Sequence, residues 1–383
     1  MKASRIVVLG LILIFSLSLF NVFAQATSGQ KQEPKKQEAK PPQKSLIPKE
    51  IKAIIQEGLA PRQGRQDIPF TIFKYMAFPA KDGMYTVIFF KAKNADFGYA
   101  APVPAAPQGK QAQPAAPPAG TLEARFALVL EFFQADEAGA LKATGERSIP
   151  VTLQADSAGY DPAKEEWYAL TVGLPYGKYT IAMLLAPIDP KKGTADIKRV
   201  GVGYYDITLP GVETYQSAID TTPVFYAKDI QQMNSYEAKP TVHRGLFTYS
   251  VLQIVPNIDN VVTAEDKSQI EVFCIVLGAK AKVESSTQPA SQPQQQTYDL
   301  EVNYEIQKGD GAAVIKWQTQ TYASPLIDQP LPLKQTKVTT DQATGKQSTS
   351  QSDLASGKYQ LVVKVKDKVS GFTVEKKVPL EVK

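Results

Sequence analysis

Few residues in this 383-residue chain are of the types that carry chemistry. There is one histidine, His243, and one cysteine, Cys274. A catalytic triad would have to use His243. That residue stands directly before Arg244 and Gly245 at a strand entrance, and the chain has no G-x-S-x-G elbow and no H-E-x-x-H. Cys274 lies inside VFCIVL (272–277), the setting of a buried inert thiol, and with no second cysteine it closes no intrachain disulfide. A single His and a single Cys leave zinc without a ligand set, and no glycine-rich phosphate loop joins a strand to a helix. Calcium is the best remaining ion. Asp156, Asp161, Glu165 and Glu166 fall on one Gly-containing loop, but Lys164 interrupts them and the spacing is not that of an EF-hand, so they read as a solvated acidic turn. Sugar stacking would need exposed rings from Tyr160, Trp167, Tyr168, Tyr204, Tyr205 or Trp317, and aromatics at strand positions are mostly core. No catalytic, cofactor-binding or metal-binding residue is therefore assigned, and the chain reads as a non-enzyme.

The elements that would position any site read as β-strands. Composition is that of a globular protein, 43% hydrophobic and 21% charged, long enough for two or three domains. The net charge is +5, of which Lys2 and Arg5 belong to an N-terminal leader, and so small a charge leaves no footprint for nucleic acid. Residues 1–26 have the pattern of a signal peptide: two basic residues, an apolar run from Ile6 to Phe20, then small residues allowing cleavage after Ala24 or Ala26. An uncleaved leader would be the one route to a membrane. Residues 27–46, rich in Lys, Gln, Glu and Pro, are expected to be a disordered tether. Residues 48–59 predict a short helix with Ile51, Ile54 and Ile55 on one stripe, docking on the first β domain, within a lead-in that ends at 65.

Two stretches anchor the remainder. LPYGKYTIAML (174–184) and LASGKYQLVVK (354–364) share Leu, Gly, Lys and Tyr in register, and each runs into alternating apolar residues. A glycine that tolerates positive φ, then a tyrosine opening a strand, is the pattern of a tyrosine corner in a Greek-key sandwich. Around the first copy, strands are expected at 70–78, 84–93, 122–133, 149–154, 166–172, 178–186 and 199–209, giving a domain over 66–211 with a Pro/Ala-rich loop at 98–120. Around the second they are expected at 246–255, 269–278, 298–306, 312–319, 333–340, 358–366 and 371–382, giving a domain over 241–383 with a Gln/Pro-rich loop at 284–297. Residues 212–240 read as the connector. FTIFKYMAFP (70–79) matches FTYSVLQIVP (247–256), and MYTVIFFKAK (84–93) matches QIEVFCIVLG (269–278), in the order expected of an internal duplication. The fold class is all-β: two tandem immunoglobulin-like or fibronectin-III-like β-sandwiches behind a short N-terminal helix.

Ile254–Asn257, the alternating Tyr298–Ile306 and Leu354–Tyr359 with Asp367–Gly371 resemble the β-sandwich of exported bacterial GWxTD proteins, over roughly 225–383. DIPFTIFKYMAFPAKDGMYTV (67–87) is similar to the sandwich that follows von Willebrand A-like modules. Neither a GWxTD motif nor a metal-dependent adhesion motif is present, so the resemblance implies the fold without those modules' activities. The expected function is an exported interaction or scaffold module, periplasmic or extracellular. Its expected partner is another envelope protein, with polysaccharide as the alternative, and neither cofactor nor nucleic acid is expected.

Overall fold

The structure is a computed structural model and describes residues 45–102, 120–189, 193–237, 239–263, 269–282, 296–340 and 347–383. The expected signal peptide, almost all of the tether and most of both low-complexity loops lie outside these residues. The chain folds as an all-β protein, and among the described residues one helix is of substance, α1 (Lys49–Leu59).

The first sandwich comprises β1 (Thr71–Ala80), β2 (Gly83–Lys93), β3 (Thr121–Ala135), β4 (Leu141–Asp156), β5 (Glu165–Leu174), β6 (Gly177–Pro187) and β7 (Gly201–Leu209). β1, β2 and β5 form one sheet, and β4, β3, β6 and β7 the other, all antiparallel. Phe90, Phe126, Leu128, Tyr168 and Met183 are among the residues filling the space between them. The expected strands are all present. β4 begins earlier than expected, because its first half carries exposed Lys, Ala and Thr rather than alternating apolar residues.

Downstream come β8 (Asp220–Thr221), β9 (Phe225–Gln232), β10 (Val242–Arg244), β11 (Phe247–Tyr249), β12 (Leu252–Pro256), β13 (Val261–Val262), β14 (Gln269–Leu277), β15 (Leu300–Gln307), β16 (Ala313–Lys316), β17 (Gln320–Tyr322), β18 (Leu326–Pro332), β19 (Lys334–Thr340), β20 (Gln347–Asp353), β21 (Gly357–Asp367) and β22 (Thr373–Val382). One sheet of the second sandwich runs β11-β12-β9-β14-β18, and the facing sheet runs β13-β22-β21-β15-β16.

Three expectations are corrected. The strand that pairs with β14 as β1 pairs with β2 is β9, which lies inside the stretch read as connector. FTYSVLQIVP is no match for β1. Ser250 takes φ 56° there, which folds the run into the hairpin β11–β12 on the outer side of β9. The strand flanking β14 on its other side is β18, for which no strand was expected, while the expected strand at 333–340 is present as β19, in a separate hairpin with β20. β18 carries Pro330 and Pro332, which sequence patterning counts against a strand; at a sheet edge the missing donors face away from the ladder.

The sandwiches are welded rather than tethered. β10 pairs with β5 at the edge of the first sandwich, and the chain then returns to β11 and β12 in the second. The outer faces of the β1-β2-β5 and β9-β14 sheets meet and bury a third apolar core. Met76, Phe78, Val87 and Phe89 oppose Phe225, Phe247, Ile254, Phe273 and Ile275. On the far side of the first sandwich, Ile47, Ile51, Ile55 and Leu59 of the α1 segment cover Phe133, Ala182, Leu184 and Val202, as the predicted stripe required. Burial of each such aliphatic side chain contributes roughly 1.5–3 kcal/mol. Glu146 on β4 pins the helix start, accepting from Leu46 N and Ser45 Oγ and pairing with Lys52 Nζ at 2.7 Å.

Both anchors form the expected corner. Tyr179 Oη donates to Pro175 O at 3.1 Å and Tyr359 Oη to Ala355 O at 3.0 Å. Gly177 and Gly357 take φ of 146° and 158°, which side-chain-bearing residues rarely adopt. Tyr179→Phe or Tyr359→Phe should each cost about 1 kcal/mol, read as an earlier thermal melt. Unchanged melts in both variants would reduce the corner to packing alone.

Candidate functional site

The residues singled out for chemistry are placed apart. Cys274 on β14 points into the second core, fully buried, and burial pushes its thiol up to about 12, so it holds no thiolate at neutral pH. His243 on β10 has Nε2 2.9 Å from Glu237 Oε2, which also accepts from Thr248 Oγ1 at 2.8 Å; the three brace the crossing between sandwiches. In the acidic loop, Asp156 Oδ1 accepts from Ala158 N and Asp161 Oδ1 from Ala163 N. Glu166 instead pairs with Lys164 at 2.9 Å and Arg244 at 3.3 Å. Among the described residues no three His, Cys, Asp or Glu side chains converge as metal ligands. The candidate stacking aromatics are engaged too. Tyr168 is fully buried and Trp167 packs on Phe89. Tyr205 packs on Tyr75 and Tyr160 on Tyr99. Tyr204 Oη donates to Ile55 O, and Trp317 Nε1 to Pro332 O.

What the structure does build is a cavity of about 510 Å³ where the two sandwiches and their connector meet. Pro79 and Met84, flanking the β1–β2 turn, and Tyr176, from the β5–β6 loop, form the wall from the first sandwich. Val212, Tyr215 and Gln216 of the connector form the second wall. The end of β14 and its continuation to Ala281, with Gln296, Tyr298 and Pro325, form the third. Gly278 is required here. Its φ is +77°, and a Cβ would lie 2.6 Å from Tyr215 Cβ and 2.7 Å from Ala218 O, so the connector rests directly on this turn. Lys280 N donates to the fully buried Asp367 Oδ2 at 2.9 Å, and Tyr298 N to Ala323 O at 3.0 Å, which hold the third wall in place.

The three phenols remain neutral. Burial pushes Tyr215 up to about 12, with Asp220 adding to it. Tyr176 is raised by burial and then by Glu213 and Asp82, and Tyr298 by burial alone. Tyr298 Oη donates to Gln296 Oε1 at 3.1 Å. Lys280 is the one charged residue lining the cavity, and it makes no ion pair among the described residues; its neighbour Lys282 is tied to Asp299 at 3.0 Å.

Sequence reasoning did not find this cavity, though it held one pointer. In the first anchor Pro175 and Tyr176 stand where the second has Ala355 and Ser356, and Tyr176 lines the cavity while the shared residues build the corner.

No family model and no curated protein matches the chain. Among solved structures, it is similar to a candidate β-galactosidase from Bacteroides fragilis, with 12% identity and a TM-score of 0.20. The match covers 80% of this chain and 34% of that protein, so the chain spans about a third of its length. No helix among the described residues is long and apolar enough to cross a membrane.

Proposed function

We propose that this is an exported, non-enzymatic protein of the bacterial envelope that acts as an interaction or scaffold module and holds another envelope protein through an added strand. The leader pattern at 1–26 and the resemblance of 225–383 to sandwiches of exported proteins support the compartment. The observation that carries the interaction reading is the free edge of β4. This strand runs from Leu141 to Asp156 and, among the described residues, is bonded on one side only, to β3. By contrast with the single Pro150 of β4, the β18 edge is blunted by two prolines, and Val202 N of β7 donates to Arg65 O at 2.8 Å beyond its pairing with β6. A free edge is a template for an extended segment of a partner. Leu46, 65% exposed, sits beside it, because its amide is held by Glu146 of β4. The welded architecture makes the edge part of one body.

Pro150 lies within the β3–β4 ladder, so its nitrogen faces away from β3; Ser148, two residues earlier, presents its amide on the same free side. Ser148→Pro should therefore remove an edge donor while leaving the fold intact. The test is a crosslinked pull-down of the tagged protein from its own envelope fraction, wild type against Ser148→Pro, with binding to isolated cell-wall polysaccharide in parallel. One stoichiometric protein partner, lost in the variant at unchanged melting temperature, is the expected result. Retention on polysaccharide with no protein partner would replace the scaffold reading with a carbohydrate-binding one.

A further inference from the structure

We infer that the junction cavity binds a small amphipathic anion: a compact, ring-bearing apolar body with one carboxylate or similar anionic end. This goes beyond the scaffold reading and does not depend on it, since the ligand is a small molecule and the site lies at the junction rather than on the β4 edge.

Size and position come first. At about 510 Å³ the cavity falls within the few hundred to a thousand Å³ usual for ligand sites, which favour domain junctions. Its second and third walls are fixed by the protein's own contacts, so they persist without an occupant: the connector lies on Gly278, Lys280 N is bound by Asp367, and Tyr298 N by Ala323 O. A void with apolar walls that cannot collapse gains dispersion contacts and loses unfavourable hydration when an apolar body fills it.

The chemistry of the walls then selects the ligand. Tyr176, Tyr215 and Tyr298 offer ring faces and neutral hydroxyls, which suit a flat apolar body. Charge sets the orientation. The Lys280 ammonium stands on the cavity wall with no ion pair among the described residues, the nearby Asp367 being held by the Lys280 backbone N–H, whereas Asp82 and Glu213 lie beside Tyr176. An anion is repelled at the Tyr176 end and attracted at the Lys280 end. The anionic group therefore meets Lys280 and the apolar body extends towards Tyr176, with the amide of Gln216 at the rim to take a hydrogen bond.

Two fluorescent probes of nearly the same shape test this on the full chain. One is 8-anilinonaphthalene-1-sulfonate, an aromatic anion, and the other is the uncharged N-phenyl-1-naphthylamine. Both should bind saturably at one site per chain. Lys280→Gln should weaken the sulfonate about tenfold, the size of one charge-assisted contact, and leave the neutral probe unchanged. Ala281→Trp should abolish binding of both by filling the cavity. If Ala281→Trp lowers the melting temperature, Gln216→Trp, placed from the exposed connector, makes the same test. No saturable binding by either probe, or binding that survives the tryptophan in a folded variant, overturns the site. An equal response of both probes to Lys280→Gln overturns the anionic end.

Discussion

Phe78→Ala is expected to remove about 3–5 kcal/mol of stability and to divide one melting transition into two. Phe78 is fully buried at the centre of the junction core. Its ring meets Tyr249 at 4.8 Å, Phe247 at 5.7 Å, Phe273 at 6.4 Å and Phe225 at 6.5 Å between centroids, all on the second sandwich. Truncation leaves a cavity that rigid sheets on both sides cannot close, so the lost transfer energy and the lost contacts add. Neither sandwich core is touched, since Phe90, Phe126 and Leu128 fill the first, and Val302, Tyr304 and Val363 the second. Each sandwich therefore keeps its own cooperative unit, and what is lost is the coupling between them. Scanning calorimetry reads both effects. Gln360→Ala, on the exposed outer face of β21, should stay within about 0.5 kcal/mol of the parent. A single unshifted transition for Phe78→Ala would mean that the sandwiches fold as one unit for some other reason.

The second large effect is one of pH. Glu271 on β14 stands opposite Pro330, and Phe273 opposite Asp328, which places the two carboxyls diagonally on one sheet face. Burial pushes Asp328 up to about 7, and the charge and hydrogen bond of Glu271 add to it; among the described residues Asp328 Oδ1 has no hydrogen-bond partner. The folded-state value therefore lies above the unfolded one of 3.8. Stability from the bound proton is fully present below about pH 4 and is lost as pH rises through about 7. Urea unfolding at pH 5.5 and 8.5 should show a loss of about 2 kcal/mol across that interval, and Asp328→Asn should abolish most of it. Glu131, buried on β3 directly across from Glu146, is also raised by burial and acts in the same direction, so the difference between parent and variant isolates Asp328. Asp136 and Asp299 are lowered, chiefly by hydrogen bonds from Lys142 and Lys282. Their contribution is lost only as pH falls through their folded-state values, outside the interval. Parallel pH profiles for parent and Asp328→Asn would refute the shared proton.

The candidate cavity was less legible than the fold because it is a property of three walls. Pro79, Tyr215 and Pro325 are far apart in the chain and each has an ordinary local role, at a strand end, in a connector or before an edge strand. Only the meeting of the two sandwiches turns them into one lining. The same holds for the free edge of β4, since an unpaired strand side leaves no mark on the residues that form it.

What the sequence by itself determined is local. The Gly-Lys-Tyr anchors specify a corner because a positive φ and a tyrosine four residues after its acceptor carbonyl are set within one turn. The isoleucine spacing specifies α1, and period-two alternation specifies strands such as LEVNYEIQ, whose outer face meets water. Tertiary structure alone decided the weld. VIFF in β2 and VFCIVL in β14 are apolar on both faces, where a sheet with one wet face would alternate. Those runs reveal that a second face is covered, but not by what. The cover for β2 is the second sandwich, brought there by the stretch 225–256, which spends β10 on one sheet and β9, β11 and β12 on the other. Pairing between distant strands follows from which apolar faces can be buried together, and that choice is made by the whole chain at once.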